Sequence, residues 1–580
     1  MFENLKITQL FAHFLDLLLI VFLFYDIGFS SEDEFYQHKL IILPSIILIL
    51  IAFNLYKYFG KEFFPSVKKR SQYNLIILSS ILFLEAIVLI FNYEESLIHT
   101  FYVHRKILEY GLLFYYFIRL SFLMRMIYSL YFNPFILFIG SFVIVILIGT
   151  FFLMLPSATL EPISFKDALF TATSAVCVTG LLSVDSATEF TLFGQSIMMG
   201  LIQLGGLGML TFTSFFAYFF KSGSSLKEGL FMKNVLGDDR LSNVMQTTVK
   251  IVVFSLIVEA IGAIFIYDAT KHLAIENRVF FAVFHAISAY CNGGFSTMEG
   301  GLQAAGLQYN YYLHWILMIL IIFGGLGYFI SFNFIRYIKQ FFINLFHKRK
   351  KRAIVRLITL NTKIVVYTTA ILLIGGTLAL FFTEYHTVLK SHDSFFGKIT
   401  TAMFSSVTAR TTGFNTVNYT DFSVPGLLLM ILLMWIGASP ASTGGGIKTS
   451  TFALGVLNVF SIARNKNHIE IGTRRVAPVA VKRAFAIMMI SLMAIGIGIL
   501  LLLIFDPQFS LIEVTFEVFS AFGTVGLSMG ITDNLSETSQ YILILTMFLG
   551  RIGLINLMAG ILSKLRSESY QYPEENILIN

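Results

Sequence analysis

The chain has 580 residues, of which 56% are hydrophobic and only 13% charged, against about 45–50% and about 25% in soluble domains. That length would give about four soluble domains, but a mean hydropathy of +0.77 and 62 phenylalanines leave too little polar surface to cover them, so the chain reads as an integral membrane protein. A net charge of +7 is too modest to indicate a nucleic-acid partner. The two cysteines, Cys177 and Cys291, exclude a disulfide framework or a Cys-rich metal centre. The eleven histidines form no HExxH and no ligand-spaced cluster.

In chain order, apolar stretches long enough to cross a bilayer as helices (about 20 residues) fall at roughly 7–29, 38–59, 73–93 and 108–132. The N-terminus shows no cleavable signal pattern, so the first of them is expected to remain as a helix. Long stretches then come in pairs: 136–156 with 192–220, 247–268 with 311–335, 361–384 with 423–462, and 480–505 with 540–563. Between the members of each pair lies a piece too short to cross, at 165–176, 279–290, 395–408 and 511–522. These four read as re-entrant half-helices, a form tolerated at membrane depth only where it lines a cavity.

Basic residues set the orientation. The segment from Arg336 to Lys363 contains Lys348, Arg349, Lys350, Lys351, Arg352 and Arg356 and no acid. Two further basic loops hold Lys57, Lys61, Lys68, Lys69 and Arg70, and Arg464, Lys466, Arg474, Arg475, Lys482 and Arg483. Twelve alternating spans with both termini cytoplasmic follow, and the half-helices then enter from outside.

Each half-helix ends in a glycine-bearing turn: Val178-Thr179-Gly180, Asn292-Gly293-Gly294, Thr411-Thr412-Gly413 and Thr524-Val525-Gly526. Each follows a serine-containing segment that starts at Ser174, Ser288, Ser406 or Ser520, and the glycines are 114, 119 and 113 residues apart. That is a repeat of helix, half-helix, glycine turn and helix. A potassium ion gives up its water only to a ring of backbone carbonyls. Pointing successive carbonyls inward needs backbone angles that glycine adopts without penalty. The C-terminal dipole ends of four half-helices would favour a cation in the ring. Glycines can also serve close helix packing, a reading that weakens when four stand in register.

These motifs, in the forms Val178-Thr179-Gly180-Leu181, Cys291-Asn292-Gly293-Gly294-Phe295, Arg410-Thr411-Thr412-Gly413-Phe414-Asn415 and Thr524-Val525-Gly526-Leu527-Ser528, resemble those of the Ktr/Trk/HKT potassium-transport superfamily, most closely the Ktr-type membrane subunit. The resemblance covers residues 136–580 and includes the tail Tyr572-Pro573-Glu574-Glu575-Asn576-Ile577. It implies an all-α polytopic protein with four tandem units around one pore. The units are 134–245, 246–358, 359–476 and 477–580, with residues 1–133 as an extra helical region. It implies potassium as the ion held by the filter backbone, with Gly180 present where sodium-favouring members carry serine. It also implies no bound cofactor, membrane lipid as surroundings, a homodimer, and a cytosolic ring of nucleotide-binding regulatory subunits. The basic segment 336–363 and the tail 564–580 are plausible contacts for that ring, although anionic lipid would also account for the basic segment.

Two features sit below the filter motifs. The stretch 423–462 is interrupted by a segment containing Gly437, Ser439, Pro440, Gly444, Gly445, Gly446 and Lys448. Proline and glycine break a helix there, and the spacing misses a phosphate-binding loop because Ile447 separates Gly446 from Lys448. The resemblance makes residues 437–449 a gating loop beneath the filter. Arg551 lies deep in its span, where an arginine faces a bundle interior or a water-filled cavity, and the resemblance pairs it with that loop. Glu517, in the fourth half-helix, matches a position that braces the filter. Glycine-rich stretches at Gly205-Gly206-Leu207-Gly208 and Gly324-Gly325-Leu326-Gly327 can widen the inner pore or permit a close dimer contact.

In the N-terminal region Asp16, Asp26 and Glu85 accompany Arg119 and Arg125, a charge pattern too irregular for a voltage sensor and better suited to buried ion pairs or a docking surface. A secondary transporter that couples potassium to sodium or protons is the alternative. Such proteins show inverted halves, whereas these units run parallel. No constellation of paired carboxylates, metal ligands or nucleophile and base suggests an enzyme.

Overall fold

The computed structural model describes residues 36–60, 65–91, 134–208, 244–346, 359–466, 468–471 and 474–553, with isolated positions at 28, 108, 111, 112 and 115. Apart from those isolated positions the expected spans at 7–29 and 108–132 fall outside the described set, as do the basic run 348–356, the tail 564–580, Asp16, Asp26, Arg119, Arg125 and the Glu85 side chain.

Two helices come first, α1 (Tyr36–Phe59) and α2 (Pro65–Phe91). They pack through Ile47, Leu50, Leu78 and Ile81, and Asn74 Nδ2 donates to Asn54 Oδ1 at 3.0 Å in their buried seam. A pattern of long helix, short buried helix and second helix then recurs. It runs α3 (Pro134–Leu153), α4 (Phe165–Cys177), α5 (Leu192–Leu207); then α6 (Val244–Ala269), α7 (Arg278–Cys291), α8 (Tyr311–Leu326), followed by α9 (Tyr328–Phe346). It continues with α10 (Leu360–Thr383), α11 (Phe395–Thr408), α12 (Val424–Trp435), α13 (Thr449–Ala463), and closes with α14 (Pro478–Phe505), α15 (Leu511–Gly523), α16 (Glu537–Ile552). A two-stranded hairpin, β1 (Glu470–Ile471) with β2 (Arg474–Arg475), adds a small strand element that an all-α reading did not anticipate.

The long helices turn apolar rows outward. Ile257, Ile261 and Ile264 on α6, Tyr367, Ile371 and Ile374 on α10, and Met493, Ile497, Leu500 and Ile504 on α14 are all exposed. Spacing of three or four puts each row on one helix face, as a lipid-facing surface requires. The short helices are the reverse. From Ala168 to Cys177 and from Ser520 to Gly523 every residue but Leu169 is buried, and their serines and threonines lie inside the bundle.

Caps start the short helices. Ser164 accepts from the Asp167 N–H, Ser394 from Gly397, and Ser510 forms a capping box with Glu513. The cap of each second helix is tied back to the end of the long helix before it. Thr191 Oγ1 donates to Ser157 O at 2.7 Å, Asn310 Nδ2 to Ala269 O at 2.9 Å, Ser423 Oγ to Glu384 Oε1 at 2.6 Å, and Ser536 Oγ to Asp506 Oδ2 at 2.8 Å. This tie fixes both helices at one end of each unit, which sets where the short helix and its turn sit between them.

The second helices are shorter than the sequence suggests. Helices α5, α8 and α16 each have 16 residues and stop at Gly208, Gly327 and Gly553, all with positive φ. At about 1.5 Å per residue they reach only ~24 Å, short of a ~30 Å hydrocarbon core. The stretch 311–335, read as continuous, instead bends by 101° at Gly327. Among the described residues three single helices are long and apolar enough to cross, and α8 with part of α9 makes a fourth only as a bent pair.

Candidate functional site

The four short helices converge, and their turns share one backbone solution. Val178, Asn292, Thr411 and Thr524 adopt left-handed φ of 56°, 64°, 70° and 49°. Two residues later Gly180, Gly294, Gly413 and Gly526 have φ of 93°, 69°, 91° and 92°. A positive φ costs a side-chain-bearing residue, so four such residues in register mark a constrained geometry. Of the twelve residues of the three-residue motifs ten are buried, and Gly294 and Gly526 are partly so.

The turns also close a ring. A Cβ on Gly180 would lie 2.6 Å from the carbonyl oxygen of Gly293. One on Gly294 would overlap Thr412 O, one on Gly413 would overlap Val525 O, and one on Gly526 would overlap Thr179 O. Each glycine therefore faces the middle carbonyl of the next turn, and the fourth returns to the first. Outside the ring the same order holds, with α5 on α7, α8 on α11, α12 on α15 and α16 on α4.

Hydroxyls behind the turns hold them. Ser174 Oγ accepts from Gly180 N and Ser520 Oγ from Gly526 N, each at 3.1 Å. Ser288 Oγ donates to Phe295 O at 2.9 Å. In the third turn the brace is Thr408, whose Oγ1 donates to Phe414 O at 2.8 Å, whereas Ser406, which opens the motif as read in sequence, bonds Leu373 O outside the turn. The other three braces stand six residues before their glycines, a spacing that falls on Val407 in the third unit, and the hydroxyl used there is Thr408, five residues before Gly413. Glu517 is fully buried and accepts from the Thr532 hydroxyl and from the Met529 backbone, so it braces the segment after the turn. His285, nine residues before its glycine as Glu517 is, links Phe281 O and Ser296 Oγ at 2.9 Å each. Sequence reading missed it because the two side chains differ chemically.

Beneath the ring runs the chain from Ile436 to Lys448, irregular except for a parallel bridge between Ile436 and Ile447. A Cβ on Gly444 would strike Thr411 Oγ1 and one on Gly445 would strike Thr524 Oγ1, so the loop lies directly against two filter-motif residues. Gly446 takes φ of 62°. Ser439 N donates to Gly325 O at 3.0 Å, its hydroxyl donates to Leu326 O, and Ser442 Oγ closes the Pro440 turn onto Ser439 O at 2.6 Å. Thr443 Oγ1 donates to Tyr290 O at 3.2 Å, and Lys448 Nζ donates to Gly444 O at 2.5 Å.

Two arginines fasten this loop. Arg551 donates to Thr443 O and to Gly205 O, tying the loop to the first and fourth units at once. Arg410 Nη2 donates to Gly437 O at 3.3 Å, a contact that sequence reading missed although an arginine in a re-entrant segment is as costly as Arg551. Glu259 is another missed group. It is buried in α6 and accepts from Gln203 Nε2 at 3.0 and 3.1 Å. The inner glycines serve packing within each unit, for a Cβ on Gly205, Gly324 or Gly550 would overlap the carbonyl of Val176, Tyr290 or Phe522. Gly437 lies instead against Gly445 O of the loop itself.

Apolar helices around buried half-helices whose backbone turns meet in a ring define the class: a multi-pass membrane protein arranged to handle a desolvated ion. The chain belongs to the TrkH cation transport protein family, which matches residues 124–571. It is 37% identical to "Ktr system potassium uptake protein B" of Vibrio alginolyticus over 76% of this chain and 93% of that one. It is 35% identical to "Potassium/sodium uptake protein NtpJ" of Enterococcus hirae over 77% and 97%. The crystal structure of the potassium transporter TrkH from Vibrio parahaemolyticus matches 90% of this chain and 98% of that one with a TM-score of 0.57 at 17% identity, a likeness of fold. Family membership makes the chain a transport protein and not an enzyme, and implies no cofactor.

Proposed function

We propose that the protein is a channel-like potassium uptake subunit of the cell membrane, in which the four turns form the selectivity filter and residues 437–449 form the gate. The four units 134–245, 246–358, 359–476 and 477–580 surround one pore, and both termini face the cytoplasm. The observation that carries this reading is the closed ring in which Gly180, Gly294, Gly413 and Gly526 each face the next turn's carbonyl. Carbonyl rings replace a potassium ion's hydration shell, and the half-helix C-termini add negative potential at its inner side.

The gate reading rests on the loop's position. With Gly444 and Gly445 against Thr411 and Thr524, an ion leaving the ring inward meets chain before it meets water. Arg551 adds a positive charge at that depth and holds the loop by its Thr443 carbonyl. Opening requires those bonds to break, which calls for an outside input. The resemblance to Ktr-type subunits supports a homodimer regulated by a cytosolic ring of nucleotide-binding subunits.

The test is potassium-limited growth and rubidium uptake in a bacterial strain lacking its own potassium importers. Wild type is expected to rescue and Gly413→Asp, at equal membrane expression, to fail. Rescue by both would reject these turns as the filter. Varying external sodium in the same assay separates uniport, with unchanged rubidium uptake, from sodium coupling.

A further inference from the structure

We propose that the basic hairpin between α13 and α14 is a docking surface for anionic lipid headgroups, and that lipid bound there acts on the gate through α13. The coupling rests on the gate reading above; the docking does not. Helix α13 begins at Thr449, the residue after Lys448, and runs unbroken for 15 residues to Ala463. At about 1.5 Å per residue that is a rod of ~22 Å, enough to carry a movement from the depth of the loop past half of a ~30 Å hydrocarbon core to the headgroup layer.

Side-chain chemistry puts the hairpin at that layer. Phe460 and Ile462 at the end of α13 and Val479 at the start of α14 are 58%, 66% and 58% exposed, an apolar fringe that suits acyl chains. Outside the two helices Arg464, Arg474 and Arg475 are exposed, and Lys482 and Arg483, one turn into α14 from Val479, are exposed as well. Among the described residues none of the five has an ion-pair partner, while Lys466 is engaged by Glu470 at 3.3 Å. A water-soluble acidic partner would match the charges but leave the fringe bare. A bilayer of anionic lipid meets both, because basic groups draw such headgroups while stems and neighbours stay in the apolar zone.

The hairpin is joined stiffly to α13. Ser461 Oγ donates to the carbonyls of Lys466 and His468 at 3.1 and 2.9 Å. Val476 N donates to Ile469 O at 3.0 Å, and Ile469 is buried. Headgroups pulling on Arg474 and Arg475 therefore load the end of α13, whose other end is the gate loop.

The experiment uses the full-length protein in vesicles of phosphatidylcholine, alone or mixed with phosphatidylglycerol. Lipid retention is read by native mass spectrometry and gating by rubidium flux. Wild type is expected to retain phosphatidylglycerol and to change flux with it. Arg464→Gln/Arg474→Gln/Arg475→Gln is expected to bind it at least about tenfold more weakly and to lose that flux dependence, while Lys271→Gln/Lys390→Gln, after the C-terminal ends of α6 and α10, behaves as wild type. A triple variant with undiminished retention and lipid dependence would overturn the proposal. Lost retention with unchanged lipid dependence of flux would overturn the coupling through α13. A triple variant unchanged in vesicles but defective in cells would assign the hairpin to a protein partner instead. Arg551→Gln, run alongside, reports on the gate reading separately: if its flux equals wild type, that reading fails while the retention result still decides the docking.

Discussion

The third unit departs from the other three in one consistent way. In the first, second and fourth units a glycine of the second helix packs on a carbonyl near the end of its own half-helix, and the second helix runs for 16 residues. In the third, α12 stops after 12 residues, Gly437 rests on the loop, and Arg410, just past the half-helix, donates to the Gly437 carbonyl. Its half-helix also ends in right-handed backbone at Ala409, where the other three take a left-handed cap. The same ring geometry is thus kept in all four units, while the rigid helix contact below it is given up in one. That division suits the function proposed above, in which four matched turns would form the filter and one segment would move as the gate.

Glycine substitutions test that contrast most severely. Gly550→Ala places a methyl into the Phe522 carbonyl within a helix pair, so it is expected to abolish folded protein in detergent-solubilised size-exclusion runs. Gly437→Ala meets the loop carbonyls of Gly445 and Ile447 and is expected to fold and to raise basal rubidium flux. Equal collapse of both variants would erase the distinction between the third unit and the rest.

Arg551→Gln comes next. It removes a charge and weakens two charge-assisted bonds, each worth about 1.5–3 kcal/mol when the donor is ionised, so basal flux is expected to rise about tenfold or more. Unchanged flux at normal expression would reject the latch. Thr408→Val removes one brace and is expected to cost about 1 kcal/mol, read as a modest fall in melting temperature, with Ser406→Ala smaller.

The smallest effects are pH-dependent and lie at the outer ends of the units. His392 bonds Tyr311 Oη at 2.9 Å and Thr401 Oγ1 at 3.2 Å; burial first, then the nearby Lys398 charge, hold it below the usual imidazole range. The native state then binds fewer protons than the unfolded chain, so stability is full above the unfolded value of about 6.5 and falls as pH drops toward the native one. Melting temperature is expected to decline from neutral to mildly acid pH, less steeply in His392→Gln. At Asp506 burial pushes the carboxyl up, but bonds from Ser539, Ser536 and Gln508 outweigh it and leave it lowered. Its contribution is present above the unfolded value of about 3.9 and lost as pH falls through the native one, a loss that Asp506→Asn should not show.

Much of this was legible because glycine carries its own backbone information. Four glycines in register announced four turns, and Pro440 with its neighbouring glycines announced the break at 436–448. Helix length was less legible. Gly208, Gly327 and Gly553 end helices by adopting positive φ, a backbone choice that an apolar run such as 311–335 does not display. Thr408 was hidden because the six-residue spacing of the other braces falls on Val407 in the third unit, with a hydroxyl on either side at Ser406 and Thr408. Arg410 and Glu259 carried the same warning as Arg551, a charged residue in an apolar segment, but their partners Gly437 and Gln203 are distant in sequence.

The most direct test of the central claim is anomalous scattering from crystals grown with rubidium in place of potassium. Rubidium on the axis among the carbonyls of Thr179, Gly293, Thr412 and Val525, above the loop 437–449, is the predicted result. Ordered rubidium elsewhere in the bundle, with none in that ring, would contradict it.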